Sequence, residues 1–211
     1  MKKIAIFDFD GTIIKNDSMI LFFFKFFKFT IRSFPGFLKM LTGALKYFLK
    51  IDSQASFKQK YVATALKYPQ TDDMDTLAEQ FSDYLASRIF PEARAWIKKL
   101  KADNYELVLC SASIDLYLEK LYKKLGFDKL ICTKVFLTKD KVVIEKNCYG
   151  PNKIEMILSN YENDKVDWKS SYCFTDGSSD KELLELFGNS YIINNRWLHM
   201  KNPGFNFLLW N

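Results

Sequence analysis

The residues best suited to chemistry are acids, hydroxyls and a lysine that lie in four short segments of the 211-residue chain. The segments are Asp8-Phe9-Asp10-Gly11-Thr12, Ser111-Ala112-Ser113, Lys153, and Asp176-Gly177-Ser178-Ser179-Asp180. Asp8, Asp10 and Asp176 would bring several negative charges together, which is unfavourable without a cation, and oxygen ligands select a hard ion such as Mg²⁺. Because Mg²⁺ completes its shell with water and phosphate oxygens, these acids predict a phosphorylated substrate.

Three further residues are suited to holding a phosphoryl group. Gly11 has no Cβ, so backbone N–H groups beside it can approach a phosphate closely. Ser111 can donate one hydrogen bond, and Lys153 brings a full positive charge. An Asp-Gly pair alone is better interpreted as a turn. Two such pairs together with Ser111 and Lys153 favour phosphoryl transfer, whereas Ser113 and Ser178 are predicted to be turn or cap residues.

Each of the four segments lies at the end of a predicted strand or the start of a predicted helix. Apolar runs at Lys3–Phe9, Glu106–Ser111 and Tyr172–Thr175 end within or directly before three of them, and Lys153 lies at the start of the helix Asn152–Tyr161. Alternating strands and helices predict an α/β fold, a Rossmann-like doubly wound parallel sheet. Ligands bind at the carboxyl ends of such strands, so we expect the segments to share one edge.

The sequence of residues 17–88 departs from this alternation, because its pattern predicts consecutive helices without strands between them. We expect an inserted all-helical domain at 17–88, with residues 1–16 plus 89–211 forming the α/β core. Within the core, Leu130–Leu137 is predicted as one strand that turns at Lys139-Asp140 into the next strand. The tail Trp197–Asn211 has no clear period and receives no assignment.

The order and spacing of the four segments resemble the motifs of the haloacid dehalogenase (HAD) superfamily along nearly the whole chain. A gap of 100 residues separates Asp10 from Ser111, while 42 positions separate Ser111 from Lys153. A helical insert directly after the first motif is similar to subfamily IB, the phosphoserine-phosphatase-like branch. The resemblance therefore implies a HAD core with a type C1 helical cap.

The same resemblance implies a Mg²⁺-dependent phosphomonoester hydrolase that forms an aspartyl-phosphate. Asp8 would be the nucleophile, and Asp10 would protonate the leaving oxygen and then deprotonate the hydrolytic water. The remaining roles also follow from the resemblance. The Mg²⁺ ligands would be Asp8, the Asp10 carbonyl and Asp176, the phosphate would be bound by Gly11, Ser111, Ala112 and Lys153, and support would come from Asp180 and Ser179.

The substrate implied is a small phosphorylated metabolite, which need not be phosphoserine. Asp17 falls where phosphoserine phosphatases carry an acid that contacts the substrate amine, so it is a candidate specificity residue. Those enzymes also use a cap arginine and a glycine pair in the second motif. Here Arg32 is the only arginine before Arg88, and Ala112-Ser113 replace the glycines.

Three other functions fit the same motifs. Ser111-Ala112-Ser113, Asp17-Ser18 and Cys148-x-Gly150-x-x-Lys153 resemble a subgroup that includes membrane-associated phosphatases of phosphatidylglycerophosphate. A membrane-surface lipid phosphatase is therefore the first alternative. A non-enzymatic binding module with this fold is the second. A phosphotransferase, with an alcohol in place of water, is the third.

The predicted cap also concentrates charge and aromatic residues. Residues 15–68 hold ten basic residues against two acids, and ten of the 20 phenylalanines. A packed bundle with a solvated lysine edge accounts for this pattern about as well as a basic face on an anionic membrane. No nucleic-acid partner is expected, because the phenylalanines lie on helices without a recognisable binding fold. Basic residues recur at helical spacing in two groups: Lys25, Lys28 and Arg32, and Lys39, Lys46 and Lys50.

Composition excludes several other chemistries. The single histidine, His199, cannot supply a histidine metal pair, and the four cysteines form no Cys-x-x-Cys pair. The longest apolar run within Met19–Phe29 is six residues, too short to span a membrane. We expect a reduced cytoplasmic protein, with a peripheral position at the inner face of the membrane as the alternative. The oligomeric state leaves no sequence signal.

Overall fold

The computed structural model describes residues 1–27, 30–31, 33–49, 54–67, 73–137, 142–161 and 165–211. The helices are α1 (Ser18–Phe26), α2 (Phe34–Phe48), α3 (Gln54–Lys67), α4 (Met74–Ala86), α5 (Pro91–Ala102), α6 (Asp115–Leu121), α7 (Pro151–Ser159), α8 (Lys181–Leu186) and α9 (Arg196–Lys201). The strands are β1 (Ile4–Phe7), β2 (Glu106–Ile114), β3 (Lys129–Thr133), β4 (Val135–Leu137), β5 (Val142–Ile144), β6 (Tyr172–Thr175), β7 (Asn189–Ile193) and β8 (Asn206–Leu208).

Six of the eight described strands form one parallel sheet in the order β3-β2-β1-β6-β7-β8. In the centre, Ile6 of β1 pairs with Val108 of β2 on one side and with Cys173 of β6 on the other. All four residues of β1 are buried, as expected for a strand covered on both faces. The predicted α/β class and the Rossmann-like parallel sheet are confirmed.

Alternate residues of β1 pack into two separate hydrophobic clusters. Ala5 and Phe7 belong to one cluster, and Ile4 and Ile6 belong to the other. Because side chains alternate between the faces of a strand, the sheet has a buried core on each side. The first cluster continues through Phe81 of α4, so the helical segment shares its core with one face of the sheet.

Helices α1 to α4 follow one another between β1 and α5, and the chain segments before and after them lie side by side. The Phe90 N–H donates to the Ile13 carbonyl at 3.0 Å, and Ile14 forms an antiparallel bridge with Ile89. Helix α2 packs on α3, and α4 packs on α6 of the core. The division into residues 17–88 and the remainder stays a prediction.

Two predictions for the second half of the chain differ from the structure. The strand predicted over residues 130–137 is two strands: β3 joins the parallel sheet, while β4 pairs antiparallel with β5. The turn predicted at Lys139-Asp140 lies outside the described residues. The unassigned tail forms α9 and β8, and β8 pairs with β7 at the edge of the sheet. A strand of three residues carries too little pattern to be recognised from sequence.

Candidate active site

Three adjacent parallel strands bring the first, second and fourth sequence segments to one edge. Asp8 follows the end of β1, Ser111 lies near the end of β2, and Asp176 follows the end of β6. Because β1 lies between β2 and β6, these residues occupy neighbouring positions at the carboxyl edge of the sheet. This edge is where open α/β sheets bind their ligands.

Lys153 joins this group from the first turn of α7. Its Nζ lies 3.3 Å from Asp8 Oδ1 and 2.7 Å from Asp180 Oδ2, and its side chain is almost fully buried. Thr175 Oγ1 also donates to Asp180 Oδ2 at 2.7 Å. Burial opposes the charge on Lys153, but Asp8 and Asp180 outweigh it and raise the lysine pKa well above its usual value. Lys153 therefore remains a fixed cation beside Asp8.

Gly11 allows Asp176 to approach the first loop closely. Gly11 has a φ of +72°, and a Cβ built on it would lie 2.1 Å from Asp176 Oδ2, which no real side chain tolerates. Thr12 completes the contact, because the Asp176 N–H donates to Thr12 Oγ1 at 2.9 Å. The Asp-Gly-Thr sequence thus brings the carboxylate of the fourth segment against the loop of the first.

The acids at this edge suit a divalent cation. Burial, followed by the negative charge of Asp8, raises the pKa of Asp176 to about 7. Burial also raises the pKa of Asp8 to about 6, against the opposing effect of Lys153. A hard cation would favour the ionised form of both, and carboxylate oxygens are the donors Mg²⁺ prefers. No cluster of three or more acid, histidine or cysteine side chains placed for a metal occurs in the described residues, so the remaining ligands would be carbonyl, water or phosphate oxygens.

Asp10 is held at both of its carboxylate oxygens. The Ser18 N–H, at the start of α1, donates to Oδ1 at 2.7 Å, and Ser113 Oγ donates to Oδ2. Burial, together with the negative charge of Asp17, raises the pKa of Asp10 to about 7. A carboxyl with a pKa near neutrality is suited to giving and taking a proton.

Two further hydroxyls extend this arrangement into the core. Ser18 Oγ lies 2.8 Å from Ser113 Oγ and 2.9 Å from the Tyr117 hydroxyl. Since Ser113 donates its single proton to Asp10, Ser18 must donate to Ser113 and Tyr117 to Ser18. The chain of hydroxyls therefore points all its protons toward the Asp10 carboxylate. The prediction that Ser113 is a turn or cap residue was wrong, because β2 continues through it to Ile114.

Lys58 of α3 is a site residue that the sequence did not reveal. It is one of the ten basic residues between positions 15 and 68, but its side chain is only 6% exposed. Its Nζ donates to the Ala112 carbonyl at 2.6 Å and to Asn147 Oδ1. Burial lowers its pKa to about 8, although Asp10 and Asp17 partly offset that effect. A lysine from the helical segment therefore lies within the electrostatic reach of Asp10.

The remaining predicted site residues form hydrogen bonds with their neighbours in the sequence. Asp17 is exposed and caps α1, where its Oδ1 accepts from the Ile20 N–H at 2.9 Å. Ser111 is buried and accepts a 2.9 Å hydrogen bond from the Ser113 N–H. Ser179 contacts Asp180 only at 3.4 Å. The phosphate-binding roles of Ser111 and Ala112, and the specificity role of Asp17, stay predictions.

Known proteins are similar to this chain in sequence or in fold. The "Inhibition of morphological differentiation protein" of Streptomyces azureus is 22% identical over 200 residues, covering 90% of this chain and 71% of that protein. A structure of a Bordetella pertussis Tohama I protein with unknown function has a TM-score of 0.75 at 15% identity and covers 99% of this chain and 98% of that one. A phosphoserine phosphatase, described as a phospho-aspartyl intermediate analogue, has a TM-score of 0.64 at 18% identity, covering 99% and 93%.

The family assignment rests on sequence as well as fold. At these identities the two structures establish the fold, which is shared over almost the full length of this chain. The family model described as haloacid dehalogenase-like hydrolase matches residues 5–185, a range that includes all four sequence segments. The resemblance seen in the sequence is confirmed, and this chain belongs to the haloacid dehalogenase-like hydrolases.

Proposed function

We propose that the protein is a phosphomonoester phosphatase that acts through an aspartyl-phosphate on Asp8. The observation that carries this proposal is the position of Lys153, 3.3 Å from Asp8 Oδ1, with Asp10 held separately by Ser18 and Ser113. A nucleophile beside a fixed cation and a second, oriented carboxyl are the two groups that a double displacement at phosphorus requires.

In the first step, a carboxylate oxygen of Asp8 attacks phosphorus and the bond to the leaving oxygen breaks. The Asp8 Oδ1 atom accepts from the Phe9 N–H at 2.8 Å, while Oδ2 has a longer, 3.5 Å contact with Thr175. Oδ2 is therefore the freer oxygen for attack. Asp10, as the carboxylic acid, gives its proton to the leaving oxygen, so the products are an alcohol and the aspartyl-phosphate.

In the second step, water replaces Asp8 on phosphorus. Asp10, now a carboxylate, takes a proton from the water as its oxygen attacks, and the bond between phosphorus and Asp8 breaks. Inorganic phosphate leaves, Asp8 is a carboxylate again and Asp10 is protonated again. Lys153 offsets the negative charge of the phosphoryl oxygens in both steps.

Mg²⁺ is the proposed cofactor, and Asp8, Asp176 and the Asp10 carbonyl are the residues that would hold it. When bound, it would neutralise the phosphoryl oxygens and favour the ionised form of Asp8. The donor set fits this ion, because the acids near the strand ends provide oxygen ligands only.

We propose a small phosphorylated metabolite as the substrate. A cleft of about 560 Å³ lies beside Gly11 and Asp176 and is bordered by Lys15 and Arg196. Both cations are exposed, so they give an anionic substrate a favourable approach. Lys58 supplies a further cation from the helical segment, on the side of Asp10.

The test compares Mg²⁺-dependent hydrolysis of p-nitrophenyl phosphate and acetyl phosphate by the wild type and Asp8→Asn. We expect the variant and EDTA-treated wild type to lose activity by about a thousandfold or more, because the first covalent bond cannot form efficiently. Acid-quenched wild type should carry one phosphoryl group by intact mass spectrometry, and the variant should carry none.

The matched control is Asp103→Asn, which makes the same chemical change at an exposed position after α5. It should retain wild-type rates. Equal rates in wild type and Asp8→Asn would contradict the proposal. Failure of the wild type to hydrolyse either soluble phosphate, and a vesicle-borne lipid phosphate as well, would favour the binding-module alternative.

A second candidate is a lipid phosphate monoester of the phosphatidylglycerophosphate kind. It is favoured by exposed apolar side chains on α2, among them Leu38, Leu41 and Leu45. The chemistry at Asp8 would be unchanged. Faster turnover of the lipid substrate in vesicles than of p-nitrophenyl phosphate and acetyl phosphate would distinguish this candidate.

A further inference from the structure

Helix α2 carries a row of exposed apolar side chains, here called the α2 outer face. Its members are 46% to 60% exposed: Phe34, Leu38, Leu41, Leu45 and, just past the helix, Leu49. Their spacing of four, three, four and four residues places them within an arc of about 80° around the helix. A contiguous apolar row of this kind is a feature of interaction sites rather than of ordinary surface.

The other side of α2 already packs against the fold. Met40 is buried in the core and Phe37 packs against it. Gly43 faces α3, where a Cβ would meet the side chains of Lys60 and Phe57 at 3.6 and 3.7 Å. The α2 outer face is therefore a second apolar surface, which the packing of α2 on α3 does not use.

The charge around this face has one sign. Residues 18–51 contain no Asp or Glu, but they contain six basic residues: Lys25, Lys28, Arg32, Lys39, Lys46 and Lys50. On α2, Lys39 and Lys46 are exposed and lie about 110° around the helix from the centre of the apolar arc. Lysine side chains at such an angle can reach lipid headgroups while the apolar row enters the layer beneath.

An anionic lipid surface fits this face better than a second copy of the chain. Two copies joined here would bring their lysines together, and residues 18–51 offer no carboxylate to pair with them. A bilayer with anionic lipids offers negative headgroups above an apolar layer. Among the helices of the described residues, none has both the length and the hydropathy of a membrane span, so the contact would be interfacial.

We propose that the α2 outer face binds the surface of an anionic lipid bilayer, with Lys39 and Lys46 at the headgroups. The proposal is independent of the catalytic one, since Phe34, Leu38, Leu41, Leu45 and Leu49 are not among the residues that hold the site. Binding would place α3, which packs on α2 and contributes Lys58 to the site, next to the membrane.

The experiment is co-sedimentation of the full chain with vesicles. Phosphatidylcholine vesicles are compared with vesicles of phosphatidylcholine mixed with phosphatidylglycerol, at low and high salt. We expect binding to the mixed vesicles that is weaker at high salt, because the headgroup attraction is screened. Leu38→Gln/Leu45→Gln should lower the partition coefficient by about tenfold or more.

Matched controls distinguish binding through the α2 outer face from nonspecific hydrophobic or electrostatic binding. Met200→Gln removes an apolar side chain that is 71% exposed on α9, and it should bind like the wild type. Lys39→Glu/Lys46→Glu should lose most binding to the mixed vesicles, whereas Lys98→Glu/Lys169→Glu, the same change at exposed positions elsewhere, should retain most of it.

Three outcomes would overturn the proposal. The first is that the wild type sediments to the same extent with the mixed vesicles as without vesicles. The second is that Leu38→Gln/Leu45→Gln binds the mixed vesicles like the wild type. The third is that analytical ultracentrifugation shows wild-type dimers, which this double variant converts to monomers. Circular dichroism and thermal unfolding of each variant confirm that a loss of binding is not a loss of fold. Because the readout is binding, a failure here leaves the hydrolysis experiment with Asp8→Asn unaffected.

Discussion

Asp10 illustrates how single residues in this site depend on partners far away in sequence. Its two carboxylate oxygens accept from Ser18 at the start of α1 and from Ser113 at the end of β2. The Tyr117 hydroxyl donates to Ser18, and burial together with the charge of Asp10 keeps that phenol protonated by raising its pKa. Asp10 can therefore hold one orientation through both halves of a proton-transfer cycle.

We predict that Ser113→Ala lowers kcat about ten- to a hundredfold with little change in KM, because a hydrogen bond to a charged group is lost. The hydroxyl acts through Asp10 and so positions it rather than reacting itself. Ser178→Ala, at an exposed serine of the fourth segment, is the control and should be near wild type. Steady-state kinetics measure both variants, and equal kcat values would contradict the assigned role.

At the scale of elements, α3 contacts residues beside the candidate site from the helical segment. Lys58 lies on α3 and donates to the Ala112 carbonyl at the end of β2 and to Asn147 Oδ1 before α7. Tyr61, also on α3, donates to the Met19 carbonyl of α1 at 2.7 Å. Helix α3 thus contacts α1, the end of β2 and the segment before α7.

We predict that Lys58 gives the protein a distinctive dependence of stability on pH. Its pKa in the folded protein, about 8, lies below its usual value of 10.5, so the unfolded chain binds more protons between these two pH values. The free energy of unfolding of the wild type, measured relative to Lys58→Met, should therefore rise by up to about 3 kcal/mol as pH increases through this window.

Urea unfolding of both proteins from pH 6 upward measures this difference, and titrating groups that do not interact with Lys58 cancel in it. Below about pH 7 the difference should be constant, because Lys58 is protonated in both the folded and unfolded states. Parallel curves across the whole range would show that Lys58 is exposed to solvent rather than buried against Ala112.

At the scale of the whole molecule, the C-terminal residues of the chain pack against the sheet and against the segment that follows α4. β8 pairs with the edge of β7, and the Trp210 N–H then donates to Asn194 Oδ1 at 2.7 Å. The Trp210 ring is buried against Phe90, where the chain leaves the helical segment, and against Phe174 of β6. This tail therefore supports both the sheet and the junction with α1–α4.

We predict that Trp210→Ala lowers the free energy of unfolding by about 3 kcal/mol or more, because it empties a buried aromatic site. Trp197→Ala is the matched control, since that ring is 57% exposed, and its cost should be within about 0.5 kcal/mol. Chemical unfolding followed by circular dichroism measures both. Similar costs for the two variants would contradict the structural role of the tail.

The amino-acid sequence determined the fold class, the family and the acids of the candidate site. It could do so because these features are local: the β-rich run Lys3–Phe9 contains Asp8 and stops at Asp10, and Gly11 follows Asp10 in the same loop. The parallel sheet then follows from the alternation of strands and helices, and its strand ends gather the motifs at one edge.

Only the tertiary structure decided which other residues join the site and which surface stays open. Lys58 has the same sequence signature as the exposed Lys39 and Lys46 of α2, and its burial beside Ala112 depends on how α3 packs. Ser113 contacts Asp10 across 103 positions, a pairing that no local pattern encodes. The α2 outer face is apolar like a buried face, so its exposure follows only from how α2 packs on α3.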